Sequence, residues 1–146
     1  MRILVFSDSH GVFLPMKHAV ERHRPDAVIF LGDGERDIRL VMQNSVGISL
    51  ACVKGNNDLA SECPEWVVLS YGSNRIFATH GHRFRSRESM LFEAVKNDCN
   101  ILLFGHTHQP VIISDLGITA MNPGSIRDGG CYGIIEGGVC SLHKTH

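Results

Sequence analysis

Seven residues in this sequence have the types and spacing to do chemistry: Asp8, His10, Asp33, Asn56, His80, His106 and His108. Each stands just beyond an apolar run. Ile3-Leu-Val-Phe6 leads into Ser7-Asp8-Ser9-His10, and Ala27-Val-Ile-Phe-Leu31 leads into Gly32-Asp33-Gly34. Ile48 to Val53 precedes Gly55-Asn56-Asn57-Asp58, Ile76-Phe-Ala-Thr79 precedes His80-Gly81-His82, and Ile101-Leu-Leu-Phe104 precedes Gly105-His106-Thr107-His108. Asp, His and Asn offer oxygen and nitrogen donors without sulfur. Such a set suits Mn²⁺, Fe²⁺, Co²⁺, Ni²⁺ or Zn²⁺ better than Ca²⁺ or Mg²⁺. Seven donors are too many for a tetrahedral zinc site; they fit two ions sharing a bridging carboxylate, roughly 3.5–4 Å apart. Taken as an extended chain, His106 and His108 are expected to face opposite sides and serve one ion each.

Something must bring five tips together. Short apolar runs that end in polar tips read as buried strands. Leu14 to His23 and Glu35 to Gln43 have helical character, the first stopped by Pro25. The first half is therefore βαβαβ, which implies a parallel sheet with right-handed crossovers. In open α/β sheets ligands bind beyond the carboxyl ends of the strands, where these tips lie. The pattern then changes. Trp66–Tyr71 and Asn74–Thr79 form a hairpin through Gly72-Ser73, and a helix is expected from Arg87 to Asn97. After Pro110 only strands and turns follow: Val111–Ser114, Gly117–Met121, Tyr132–Glu136 and Val139–His143, with turn residues at Asn122-Pro-Gly-Ser125 and Gly137-Gly138. Two sheets are expected, one begun by the βαβ half and the other completed by the C-terminal hairpins.

A chain of 146 residues holds one domain, spanning 1–146, with a sizeable core. Fourteen basic against fifteen acidic residues give a net charge of −1. That excludes a strongly basic nucleic-acid footprint, so no specific nucleic-acid partner is inferred. Cysteines 52, 63, 99, 131 and 140 are odd in number and form no Cys-x-x-Cys pair. They read as small core residues or free thiols of a reducing compartment, and the expected location is the cytoplasm. No stretch is long enough to span a bilayer, so no membrane partner is expected. A homo-oligomer is compatible with the sequence.

Taken as a set, Asp8-x-His10, Gly32-Asp33, Gly55-Asn56, His80-Gly81-His82 and Gly105-His106-x-His108 resemble the five motifs of calcineurin-like metallophosphoesterases. Asn122-Pro-Gly-Ser125 extends the resemblance, and the overall size and the ending resemble the small prokaryotic phosphodiesterase branch. The resemblance implies a two-sheet β-sandwich flanked by helices, an αββα four-layer α/β fold. It implies that Asp8, His10, Asp33 and His108 hold one ion, and that Asp33 bridges to a second completed by Asn56, His80 and His106. Mn²⁺ is the first expectation, with Ni²⁺, Co²⁺, Fe²⁺ or Zn²⁺ as alternatives. Two divalent ions, two aspartates and a bridging hydroxide leave about +1 to attract a phosphate oxygen, and the hydroxide would attack a small phosphoester in line.

One position departs from the family pattern. Many members carry histidine directly after the asparagine ligand, where it can protonate the leaving group; this chain has Asn57, which cannot. The small branch also lacks it. His82 is the candidate acid, or else it positions a ligand by hydrogen bonding. Asp58 completes the expected catalytic set with His82 and Asn57, although a turn role suits it better than ligation. Arg83, Arg85 and Arg87 read as a solvated helix entrance, with contact to substrate phosphate as the alternative. His18, His23, His143 and His146 read as surface or packing residues.

Each motif alone has a plain structural reading as a cap, turn or solvated loop, but all five would have to hold at successive strand ends. The competing function is a protein-binding scaffold, because a eukaryotic retromer subunit similar to this family uses the fold for protein contacts. A serine hydrolase is rejected: Gly47-Ile-Ser49-Leu-Ala51 places its serine at the start of a strand, not on a strand-to-helix turn.

Overall fold

A computed structural model describes residues 1–146. The elements in chain order are β1 (Arg2–Phe6), α1 (Leu14–His23), β2 (Ala27–Phe30), α2 (Glu35–Met42), β3 (Ser49–Cys52), β4 (Trp66–Tyr71) and β5 (Asn74–Thr79). They continue with α3 (Arg87–Lys96), β6 (Ile101–Leu103), β7 (Val111–Asp115), β8 (Ile118–Asn122), β9 (Cys131–Glu136) and β10 (Val139–Lys144).

Two five-stranded sheets result, ordered β10-β9-β1-β2-β3 and β4-β5-β6-β8-β7. In the first, β1, β2 and β3 run parallel, and β9 and β10 are antiparallel additions. In the second, β5, β6 and β8 run parallel between antiparallel edges. Side chains alternate across each strand, and that alternation builds three apolar layers. Ile3, Val5, Ala27, Ile29, Ile76, Ala78, Ile101 and Leu103 fill the space between the sheets. Leu4, Phe6, Val28 and Phe30 pack under Met16, Ala19 and Val20 of α1 and Ile38 and Val41 of α2. Phe77 and Leu102 pack under Met90, Leu91 and Ala94 of α3. The order helix, sheet, sheet, helix is the expected four-layer sandwich. Each of the large side chains removed from water this way contributes roughly 1.5–3 kcal/mol.

The C-terminal hairpins depart from expectation. They do not complete one sheet: β7–β8 joins the second sheet, while β9–β10 returns to pair β9 with β1. Burial explains this. Cys131 to Ile135 are all buried, with Ile134 in the layer under α1 and Ile135 between the sheets. A strand apolar on both faces must lie inside a sheet, and β10 covers its other edge.

Helix ends follow local chemistry. Pro15 opens α1, and Arg24 closes it with φ of 44° before Pro25. Ser86 and Ser89 bond reciprocally to cap α3. Gly34 precedes α2 without a side-chain cap, and a distant carboxylate supplies that role, as described below. None of the helices is long and apolar enough to cross a membrane.

Candidate metal centre

The parallel ladders continue past the strand ends, and this brings the tips together. Asp8 N donates to Gly32 O at 3.0 Å, His10 N to Asp33 O at 3.1 Å and Gly105 N to His80 O at 3.0 Å. Approach is close enough to require glycine. Gly32 has φ of +105°, and a Cβ there would stand 2.6 Å from the Gly55 nitrogen and 2.9 Å from Nδ1 of His80. The loop 122–125 closes the site from below. Ser125 Oγ donates to the Asp8 carbonyl at 2.8 Å, and Asn122 Nδ2 donates to the Gly105 carbonyl at 3.2 Å.

Backbone conformation is unusual at five of the seven candidate residues, although Arg24, Ala60, Asp98 and Leu116 elsewhere share it. Asp8, His10, Asp33, His106 and His108 all have positive φ, between 42° and 73°. Left-handed conformations in non-glycine residues cost of order 1 kcal/mol each and cluster at functional sites. They also correct one expectation. His106 and His108 do not continue an extended chain, which would have placed residues two apart on the same face. The left-handed turn at both positions makes the rings diverge. His108 lies 5.2 Å from His10 between ring centroids, and His106 lies 5.1 Å from His80.

Two groups of donors share one centre. Asp8 Oδ1 is 3.2 Å from His108 Nε2 and 3.5 Å from His10 Nε2. Asp33 Oδ2 is 3.3 Å from His80 Nε2 and 3.8 Å from His10 Nε2. The Asp33 oxygen thus stands between the two histidine groups. Asp8 also reaches toward the second group, with Oδ1 3.9 Å from His80 Nε2. Asp8, His10 and His108 form one potential metal-holding triad, and Asp8, Asp33 and His80 form another.

Hydrogen bonding fixes which atoms face inward. Nδ1 of His80 lies 2.7 Å from the Leu31 carbonyl, so that nitrogen carries the proton and Nε2 presents a lone pair. Around it stand Asn56 Oδ1 at 3.1 Å, Asp33 Oδ2 at 3.3 Å and His106 Nδ1 at 3.3 Å. Oxygen and nitrogen lone pairs this close repel unless a cation lies among them. Without one, a proton must serve: burial works against the charged ring, but the Asp33 bond and then the Asp8 charge outweigh it and raise the His80 pKa. Asp8 Oδ1 and His10 Nε2 are buried without any hydrogen-bond partner. The nitrogen and oxygen donor set and these orphaned atoms fit divalent transition metals.

The surrounding residues hold the ligand candidates. Ser7 Oγ donates to Asp8 Oδ2 at 2.6 Å, and His106 N donates to the same oxygen at 3.1 Å. The Asn57 amide donates to Asp33 Oδ1 at 2.8 Å, and its side chain donates to Oδ2 at 3.0 Å. Burial works against ionisation of Asp33, but the bonds from His80 and Asn57 outweigh it and hold the carboxyl below the usual range. Asp58 does not join the donors. Its carboxylate accepts from Asp33 N, Gly34 N, Glu35 N and Gly55 N at 2.8–3.1 Å, so it ties the tips of β2 and β3 together and caps α2. His82 stands 5.4 Å from His80 between centroids, with Nε2 3.7 Å from Glu65 Oε2 and a buried, unpartnered Nδ1. Burial and then the neighbouring His80 lower its pKa.

Three supporting residues escape sequence reasoning. Asp128 Oδ2 lies 2.7 Å from His108 Nδ1, a carboxylate that fixes the ring with Nε2 facing Asp8. Asp37 accepts from Ser9 Oγ and Gly11 N and braces the Asp8–His10 turn. Glu65 faces His82 and Arg83. None carries a motif; only Asp128, shortly after Asn122-Pro-Gly-Ser125, has a local signal.

The chain resembles known proteins in sequence and in fold. Residues 1–136 match the family model described as the calcineurin-like phosphoesterase superfamily domain. The probable metallophosphoesterase YsnB of Bacillus subtilis is 33% identical over 132 residues, covering 87% of this chain and 76% of its own. The structure of YfcE, a phosphoesterase from Escherichia coli, aligns with TM-score 0.77 and 25% identity over 100% of this chain and 94% of that one. Vps29 of Chaetomium thermophilum shares the fold, with TM-score 0.81 and 21% identity over 93% of this chain and 80% of that one. By sequence, fold and the gathering of these donors, this chain belongs to the calcineurin-like phosphoesterase superfamily.

Proposed function

We propose that this protein is a phosphodiesterase acting on a small phosphoester with two divalent transition-metal ions, Mn²⁺ first among them. The observation that carries the reading is the convergence of lone pairs from His80, Asn56, Asp33 and His106, beside the orphaned Asp8 and His10 atoms. His10, Asp8 and His108 would hold one ion, His80, Asn56 and His106 the other, and Asp33 would lie between. Bound there, the ions would supply Lewis acidity toward a phosphoryl oxygen and a water acidic enough to ionise at neutral pH.

The chain's own residues prepare the site. Asp8 and Asp33 set its charge; Ser7 and the His106 amide orient the first carboxylate, and Asn57 orients the second. Asn57 offers no proton to a leaving group, which favours leaving groups of low pKa, as in activated diesters. His82 sits close enough to the donors to protonate a leaving group or to position His80; burial and then His80 favour its neutral ring, and Glu65 beside it opposes them. A relative named phosphodiesterase, YfcE, is 31% identical over 114 residues and supports diester chemistry. The filled donor set weighs against a scaffold without catalysis, and the likeness to Vps29 speaks to fold alone.

The test compares bis-p-nitrophenyl phosphate with p-nitrophenyl phosphate, using metal-stripped protein resupplied with Mn²⁺, Ni²⁺, Co²⁺, Zn²⁺ or Mg²⁺. Metal-dependent turnover, faster on the diester and abolished by Asp33→Asn and by His106→Ala, is the expected result. Folded protein inactive on both compounds with every metal would overturn the reading.

A further inference from the structure

Beside the donor cluster, a cavity of about 620 Å³ opens onto His106. Its size is in the range that binds nucleoside-sized ligands. Its apolar lining is the half-buried Phe84 with the edges of the buried Met90 and Phe104, and the exposed Arg85 and Arg87 stand on its rim. No carboxylate lines it. Neither arginine forms an ion pair or a side-chain hydrogen bond, whereas Arg83 on the same segment pairs with Glu65 at 3.2 Å. The cavity on the other flank, beside Asn57 and Asp58, differs in kind. Its arginines share the lining with Glu35, Asp58 and Glu62, and Arg39 pairs with Glu35.

Two unpaired guanidinium groups over an apolar wall, next to the reacting centre, define a subsite. Guanidinium groups bind phosphate oxygens bidentately, and aromatic side chains receive a planar ring. The net charge of −1 makes this local concentration of positive charge a feature of the pocket and not of the whole surface.

We propose that this cavity receives one ester group of the substrate, a ring-bearing group with a second, terminal phosphate that Arg85 and Arg87 bind. The proposal builds on the phosphodiesterase reading and specifies the substrate class: a diester with additional negative charge remote from the scissile bond. Arg85 and Arg87 are then specificity residues, not part of the bond-breaking machinery.

Two thymidine compounds separate this from general diester hydrolysis. Both carry a p-nitrophenyl phosphodiester at the 5′ position, and only one carries a 3′-phosphate. The expected kcat/KM is at least about tenfold higher for the 3′-phosphorylated compound, mainly through KM, as one well-formed charged contact of about 1.4 kcal/mol would give. Arg85→Gln with Arg87→Gln should bring that ratio close to one. Lys17→Gln, the same kind of charge loss on α1, should keep it. A second arm measures calorimetric binding of thymidine 3′,5′-bisphosphate and thymidine 5′-phosphate to the holoprotein. Tighter binding of the bisphosphate, lost in the double variant, is expected. Equal turnover and equal binding of the paired compounds, or a preference that survives the double variant, would overturn the subsite. Failure to hydrolyse bis-p-nitrophenyl phosphate would instead overturn the parent reading, and the binding arm would still decide the subsite.

Discussion

Asp58 should matter for stability before any metal arrives, and Asp58→Ala tests this. Its carboxylate accepts from four backbone amides, at 2.8 Å from Asp33, 2.9 Å from Gly34, 3.1 Å from Glu35 and 2.8 Å from Gly55. Asp33 and Gly55 are buried, so water cannot readily replace the lost acceptor there. At about 1–3 kcal/mol for each buried donor left unpaired, those two amides alone put the loss at roughly 2–6 kcal/mol. Asp58→Asn keeps one acceptor oxygen and should fall near half that. The assay is urea unfolding of metal-stripped protein, followed by circular dichroism. Asp8→Asn is the contrasting variant: Asp8 Oδ1 is buried and unpartnered, so its neutralisation should leave the metal-stripped protein at least as stable while removing metal affinity. If Asp58→Ala unfolds within about 0.5 kcal/mol of the parent without metal, the amide knot does not hold the two tips together, and Asp58 acts some other way.

Asp128→Asn should weaken metal binding about 10–100-fold with little change in unfolding, because it removes the carboxylate 2.7 Å from His108 Nδ1; metal titration checks it. Gly32→Ala should destabilise the chain by several kcal/mol and disturb the site, since its Cβ would meet the Gly55 backbone at 2.6 Å in a left-handed conformation; urea unfolding beside metal titration reads both. His23, packed between Tyr132 and His143, has its pKa lowered below 6.5 by burial and then by Arg2, Arg22 and His143, with Glu136 opposing. The neutral ring is the one the fold favours. Its contribution is therefore present above pH 6.5 and lost as pH falls through the lower folded value, and His23→Gln should lose less stability between pH 7.5 and 5.5 than the parent.

Much of the site is legible in the sequence because polar tips interrupt apolar runs. A run such as Ala27–Leu31 has no reason to end in Gly-Asp-Gly unless the backbone must turn and approach something closely. Strand type and order of appearance follow from the same contrast, and the expected elements fall within a residue or two of the observed ones. Tertiary bonds were not legible. Three of the four amides on Asp58 come from a loop 23 to 25 residues earlier, so its neighbours in sequence say only that it sits in a turn. Asp128 supports His108 across a loop with no motif of its own. The divergence of His106 and His108 was expected for a reason that strand geometry contradicts; left-handed backbone at both residues produces it. The destination of β9–β10 also escaped, because which sheet a hairpin joins depends on which edge still needs covering.

On the proposed function, this chain binds two ions and needs both for diester hydrolysis. Metal content per chain, measured after Mn²⁺ loading and desalting and read beside bis-p-nitrophenyl phosphate turnover, tests it most directly. Two ions per chain are expected, about one in His10→Ala and about one in His106→Ala, with turnover lost in both variants. A single ion in the parent protein at full diester activity would contradict it.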